Sequence, residues 1–95
     1  MRPRRAVLQQ AEHIVSDTRA AEYGDVTDNF QRIADLWRAA FGWELDAEDV
    51  ALAMVLVKIA RLRTNPLHHD SWVDIAGYAA LGAEVAGALS DWEDS

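Results

Sequence analysis

Cysteine is absent from this 95-residue chain, which excludes disulfide bridges and thiolate zinc sites. Long apolar runs are absent too. The longest unbroken one, Val50 to Val57, falls far short of the roughly 20 residues a membrane-spanning helix needs. Positive charge is scarce: the formal net charge is −7, and Arg2, Arg4 and Arg5 supply three of the nine basic residues. Six basic and sixteen acidic side chains remain elsewhere. Such an acidic body repels phosphate backbones, so sequence-independent duplex binding is not expected. The basic N-terminus lacks the apolar core of a signal peptide. Strand alternation, internal repeats and long linkers are missing, as are a nucleophile–base pair and a glycine-rich phosphate loop. The expectation is a soluble intracellular helical protein.

What is present is grease. Hydrophobic residues make up 51% of the chain, and four are Trp. A chain of this size forms one domain, residues 1–95, and buries only about 60–65% of its unfolded surface. The surplus of apolar side chains points to surface hidden in a homodimer.

Periodicity predicts an all-α fold, a compact bundle of four helices or an intertwined dimer. The first helix covers about 4–20, with Val7, Leu8, Ala11, Ile14 and Val15 on one stripe. The second covers 27–41, capped by Thr27 or Asp28. Its expected buried face is Phe30, Ile33, Ala34, Trp37 and Phe41, with Arg32, Asp35 and Arg38 toward water. The third covers 46–63, with Asp46 as N-cap, Asp49 at N3 and a Leu45–Val50 staple. It is apolar nearly all round, as expected of a central helix covered on several sides. The fourth covers 70–89, with Asn65 and Asp70 or Ser71 as competing caps. Gly77, Gly82 and Gly87 weaken it but allow another backbone to come close. Residues 1–4 and 91–95 are expected to fray.

Candidate sites follow from charge amid apolar surroundings, because such a charge needs a partner, a ligand or a route to water. Lys58, the chain's single lysine, lies three residues before Arg61, so both share a helix face. They can grip phosphate, or pair with Asp70 or Asp74 and tie two helices together. Asp70 and Asp74 are four apart and also share a face. They can hold Mg²⁺, or simply favour a helix N-terminus. His68 and His69 are adjacent and diverge by about 100° on a helix, which suits capping better than shared metal ligation. Tyr23, Gly24, Asp25, Asn29 and Phe30 make a corner where Tyr23 and Asn29 can meet a base, or where packing alone is served. Trp37, Trp43 and Trp72 are read as core or interface anchors.

The pattern EYGD…NF…IADLW followed by DVALAMVLVKIARL and DSWVDIAGYAAL resembles a family of small bacteriophage and prophage proteins of unassigned function, over about residues 7–86. More distantly it is similar to the nucleotide modification associated domain 1 group and, through it, to the MazG-like all-α nucleotide pyrophosphohydrolases. That distant resemblance implies helical dimers whose Mg²⁺-binding carboxylates act on nucleoside triphosphates. It matches Lys58, Arg61, Asp70 and Asp74 to the motif positions, and Tyr23, Gly24 and Asn29 to the turn. Neither the pyrophosphohydrolases' Glu-Glu-x-x-Glu motif nor the Glu-x-x-Asp that follows it later in their chains occurs here. Ala51, Leu52, Ala53 and Val55 stand where acidic ligands would be wanted.

Two functional expectations result, both set in the cytoplasm of a bacterial host. One is a small phage-type accessory protein with a nucleotide or phosphate site. Lys58 and Arg61 would meet phosphates, Asp70 and Asp74 a Mg²⁺ ion, and Tyr23 and Asn29 the base. Any turnover would be Mg²⁺-dependent attack of water on a phosphoanhydride. The other is a non-catalytic module that binds a host protein during infection or lysogeny.

Overall fold

The computed structural model describes residues 2–16 and 25–87. Among these the fold is all-α, with no strand: α1 Pro3–Ile14, α2 Val26–Phe41, α3 Ala47–Thr64 and α4 His69–Ala86. The four expected helices are there, with shifted ends. The first stops at Ile14, short of the predicted 20. The fourth stops at Ala86, because Gly87 takes the left-handed conformation (φ 74°) that closes a helix. Gly42 closes α2 in the same way, at φ 73°.

Helix starts follow local hydrogen bonding. Asp25 caps α2 by accepting the Thr27 N–H at 3.3 Å, so the cap lies earlier than the expected Thr27 or Asp28. The α3 start is as expected: Asp46 is the N-cap, and the Asp49 carboxylate accepts its N–H at 2.9 Å. Leu45 packs on the cluster that contains Val50. The α4 cap is His68, not Asn65, Asp70 or Ser71. Asn65 makes a turn instead, its Oδ1 accepting the Leu67 N–H at 3.1 Å. Trp72 donates its indole N–H to the Pro66 carbonyl at 2.9 Å and braces that turn.

The core forms where α2, α3 and α4 meet. Phe30, Ala34, Ala47, Val50 and Ala51 are its buried members, flanked by Ile33, Trp37, Tyr78, Leu81 and Val85. The central position belongs to α4, which touches α1, α2 and α3, and its packing on α3 is the most extensive. Small residues explain this. A Cβ placed on Gly82 would sit 2.9 Å from the Ala51 Cβ, so the two backbones approach as closely as Gly allows.

The expectation that α3 is covered on several sides is therefore corrected. Val50, Ala51 and Leu62 are buried, but Leu52, Leu56, Val57 and Ile59 are 60%, 65%, 51% and 42% exposed. Only α2 and α4 pack extensively on α3, and they take one side of it. Phe41 was expected in the core and is 60% exposed, because α2 runs past the end of its packed face. Leu8 lies off the α1 stripe at 64%.

Candidate functional site

Two of the four marked charges meet. Lys58 points from α3 into the seam with α4, where its Nζ lies 3.1 Å from Asp74 Oδ2. Their side chains are 17% and 30% exposed, so the pair is partly shielded from water. On a helical wheel Lys58 sits beside Ala47 and Ala51, on the packed half of α3. A lone ammonium there would be costly, and Asp74 offsets that cost. Arg61 and Asp70, each one turn from a member of the pair, are exposed. Neither forms an ion pair among the described residues.

Asn29 is half-buried in the first turn of α2, its N–H bonded to the Asp25 carbonyl at 3.0 Å. Tyr23 and Gly24 lie outside the described residues. Among the described residues no three His, Asp or Glu side chains gather where a metal ion could be held. Asp74 already faces an ammonium, and Asp70 stands in solvent. Two carboxylates so placed do not fit a resident Mg²⁺ centre.

The histidines hold the fold. His68 Nδ1 and the fully buried Ser71 Oγ share a hydrogen bond of 2.7 Å, which links the α4 cap to its third residue. His69 Nε2 shares one of 2.9 Å with Gln10 Oε1 and fastens α4 to α1. This second contact spans 59 residues, and no local pattern signals it. A shallow apolar depression on α1, lined by Ala6, Gln9, Gln10, His13 and Ile14, includes none of the charged candidates.

A different surface feature is aromatic. At the C-terminal end of α2, Phe41 and Trp43 stack with ring centroids 4.6 Å apart, and Trp37 meets Trp43 edge-on at 6.2 Å. Trp43 is 51% exposed, so this corner presents aromatic surface to water. Trp37 packs on the core, whereas Trp43 and Trp72 are half-exposed, so the core reading holds for Trp37 alone.

A family model described as a domain of unknown function, DUF6378, matches residues 6–86. The chain belongs to the DUF6378 family. The domain is 49% identical over 77 residues to the Gene 55 protein of Mycobacterium phage L5, covering 80% of this chain and 49% of that protein. To the Gene 55 protein of Mycobacterium phage D29 it is 38% identical over 74 residues, covering 78% of this chain and 49% of that protein. The chain thus spans about half the length of these relatives. No solved structure matches it. The phage-family resemblance is established by these matches, and the likeness to MazG-like enzymes is not shown by them. No described helix is long and apolar enough to cross a membrane.

Proposed function

We propose that the DUF6378 domain is a non-catalytic, phage-type accessory module that works by apolar contact with a host protein. The observation that carries this reading is the aromatic corner, with Phe41 and Trp43 stacked and more than half exposed. Large aromatic side chains at the surface are the usual anchors of protein contacts, because they bury much area at little entropic cost. The charged residues support the same reading. Lys58 and Asp74 satisfy each other across the α3–α4 seam and act as a strut. The test is capture from a host lysate on immobilised domain, compared with the Phe41→Ala/Trp43→Ala variant. A specific partner retained by the wild type and lost by the variant supports the reading. Equal retention by both would refute the corner's role.

A second reading is favoured by one observation. Lys58 and Asp74 lie side by side, both still partly open to solvent, with exposed Arg61 one turn away. Here Lys58 and Arg61 would meet phosphates, with Tyr23 and Asn29 toward the base. Mg²⁺ would arrive on the nucleotide, with Asp70 and Asp74 as outer ligands. Binding would require the Lys58–Asp74 pair to open. Thermal shift with nucleoside triphosphates and Mg²⁺ tests it. A Tm raised by the nucleotide in the wild type, with that response lost in the Lys58→Met variant, supports this reading. No shift at millimolar nucleotide removes this reading.

A further inference from the structure

We infer that the bare face of α3 is a self-association surface, on which two copies of this chain pair antiparallel about a two-fold axis through Leu56. Leu52, Leu56 and Ile59 recur at helical spacing on this face, at 60%, 65% and 42% exposure. Together these three leave roughly 300 Å² of apolar surface in water, the scale at which a patch marks an interaction site.

The choice of a second copy comes from the order of residues around Leu56. An antiparallel two-fold pairing brings the residue n positions before Leu56 against the residue n positions after it. At four positions, large Leu52 meets small Ala60. At three, large Ile59 meets small Ala53. At seven, anionic Asp49 meets cationic Arg63. Large-to-small pairs let two helices interdigitate, and the terminal charges are complementary twice over by symmetry. Arg63 is exposed and has no ion-pair partner among the described residues. Asp49 uses one carboxylate oxygen on the Asp46 N–H, which leaves the other available. A parallel pairing would instead set Asp49 against Asp49 and Arg63 against Arg63, and like charges repel. The inference rests on α3 alone and does not depend on the aromatic corner.

The absence of cysteine makes a clean test possible, because a single introduced thiol has only its own copy to react with. Leu56→Cys lies on the axis. With helix axes about 8–10 Å apart, its two Cα atoms come within the roughly 4.4–6.8 Å a disulfide spans. Leu52→Cys lies off the axis, and its two copies are separated by about 12 Å along the helices. Mild oxidation is expected to convert most Leu56→Cys chain to a species of twice the 10.6 kDa mass. Less than a tenth of Leu52→Cys should convert. An equimolar mixture of Leu52→Cys with Ala60→Cys should restore cross-linking. Sedimentation equilibrium of the wild type at about 200 μM should show a dimer. Arg63→Glu should weaken it about tenfold, which corresponds to roughly 1.4 kcal/mol. A wild type that stays monomeric, or cross-linking as strong at Leu52→Cys as at Leu56→Cys, would overturn the inference and leave the face to another occupant.

Discussion

The two halves of α3 have nearly the same chemistry and opposite fates. One half carries Val50, Ala51 and Leu62, all buried against α2 and α4. The other carries Leu52, Leu56 and Ile59, all exposed. Hydrophobicity alone therefore does not decide what is core. The decision is made by the neighbours, above all by the small residues of α4 that let it seat closely on one side. Lys58 marks the difference. It lies on the packed half, where a charge persists only with a partner, and Asp74 provides one at 3.1 Å. The bare half has no charge between Asp49 and Arg63, which is the pattern of a surface made to be covered.

The sharpest way to break this comparison is to make the same substitution on each half. Leu62 is 8% exposed and Leu56 is 65% exposed. Leu62→Ala should cost about 2–4 kcal/mol, from lost burial plus the cavity left behind. For a domain this size that lowers Tm by roughly 10–20 °C. Leu56→Ala, measured by denaturant unfolding at low micromolar protein, should stay within about 0.5 kcal/mol of the wild type. Equal costs would mean that the bare half is covered even in the dilute protein.

A smaller effect is expected at the seam. Asp74→Asn strands the Lys58 ammonium in a partly buried position. The pair lies between the exposed and fully buried limits, so the cost should be about 1–2 kcal/mol. The double variant Lys58→Met/Asp74→Leu removes both charges and should recover most of that loss, since apolar replacements satisfy such a seam. Failure of the double variant to recover would show that Lys58 serves something besides Asp74.

Glycines on α4 sharpen the same contrast by sign. At Gly82 a new Cβ would sit 2.9 Å from the Ala51 Cβ, whereas at Gly77 the nearest neighbour is Val15 Cγ1 at 3.7 Å. Both substitutions to Ala gain about 0.8–1 kcal/mol in helix propensity. Gly77→Ala should keep that gain. Gly82→Ala must push α3 and α4 apart and should come out net destabilising, by up to about 1 kcal/mol. Thermal melts of the two variants should move in opposite directions.

These particulars show which parts of the fold were legible beforehand. The Asp46–Asp49 cap and the helices themselves were readable because they depend on neighbours within a turn. The covered side of α3 was not. Apolar residues surround that helix, so periodicity gives no preferred direction, and the choice is made by α4. The α4 cap was misread because Asn65, Asp70 and Ser71 offer better capping chemistry than His68. His68 instead shares a 2.7 Å side-chain hydrogen bond with the buried Ser71. Of the charged quartet, the sequence left phosphate binding and a lysine–aspartate pair as alternatives, and the structure contains such a pair. The sequence could not tell that Arg61 and Asp70 face water, because a single turn separates a seam position from an exposed one.

The smallest expected effect comes from an ion pair of nearly identical length. Arg38 Nη1 lies 3.2 Å from Asp35 Oδ1 on α2, but the two side chains are 48% and 58% exposed. Water and salt screen such a pair, so Asp35→Ala should change stability by no more than about 0.5 kcal/mol. Arg38 would keep its second contact, the 2.6 Å bond from Nη2 to the Leu45 carbonyl, which ties the α2 end to the approach of α3. Chemical denaturation of Asp35→Ala and Asp74→Asn side by side separates distance from burial. If the two cost the same, shielding in the α3–α4 seam counts for nothing, and the Lys58–Asp74 strut is no more than another surface pair.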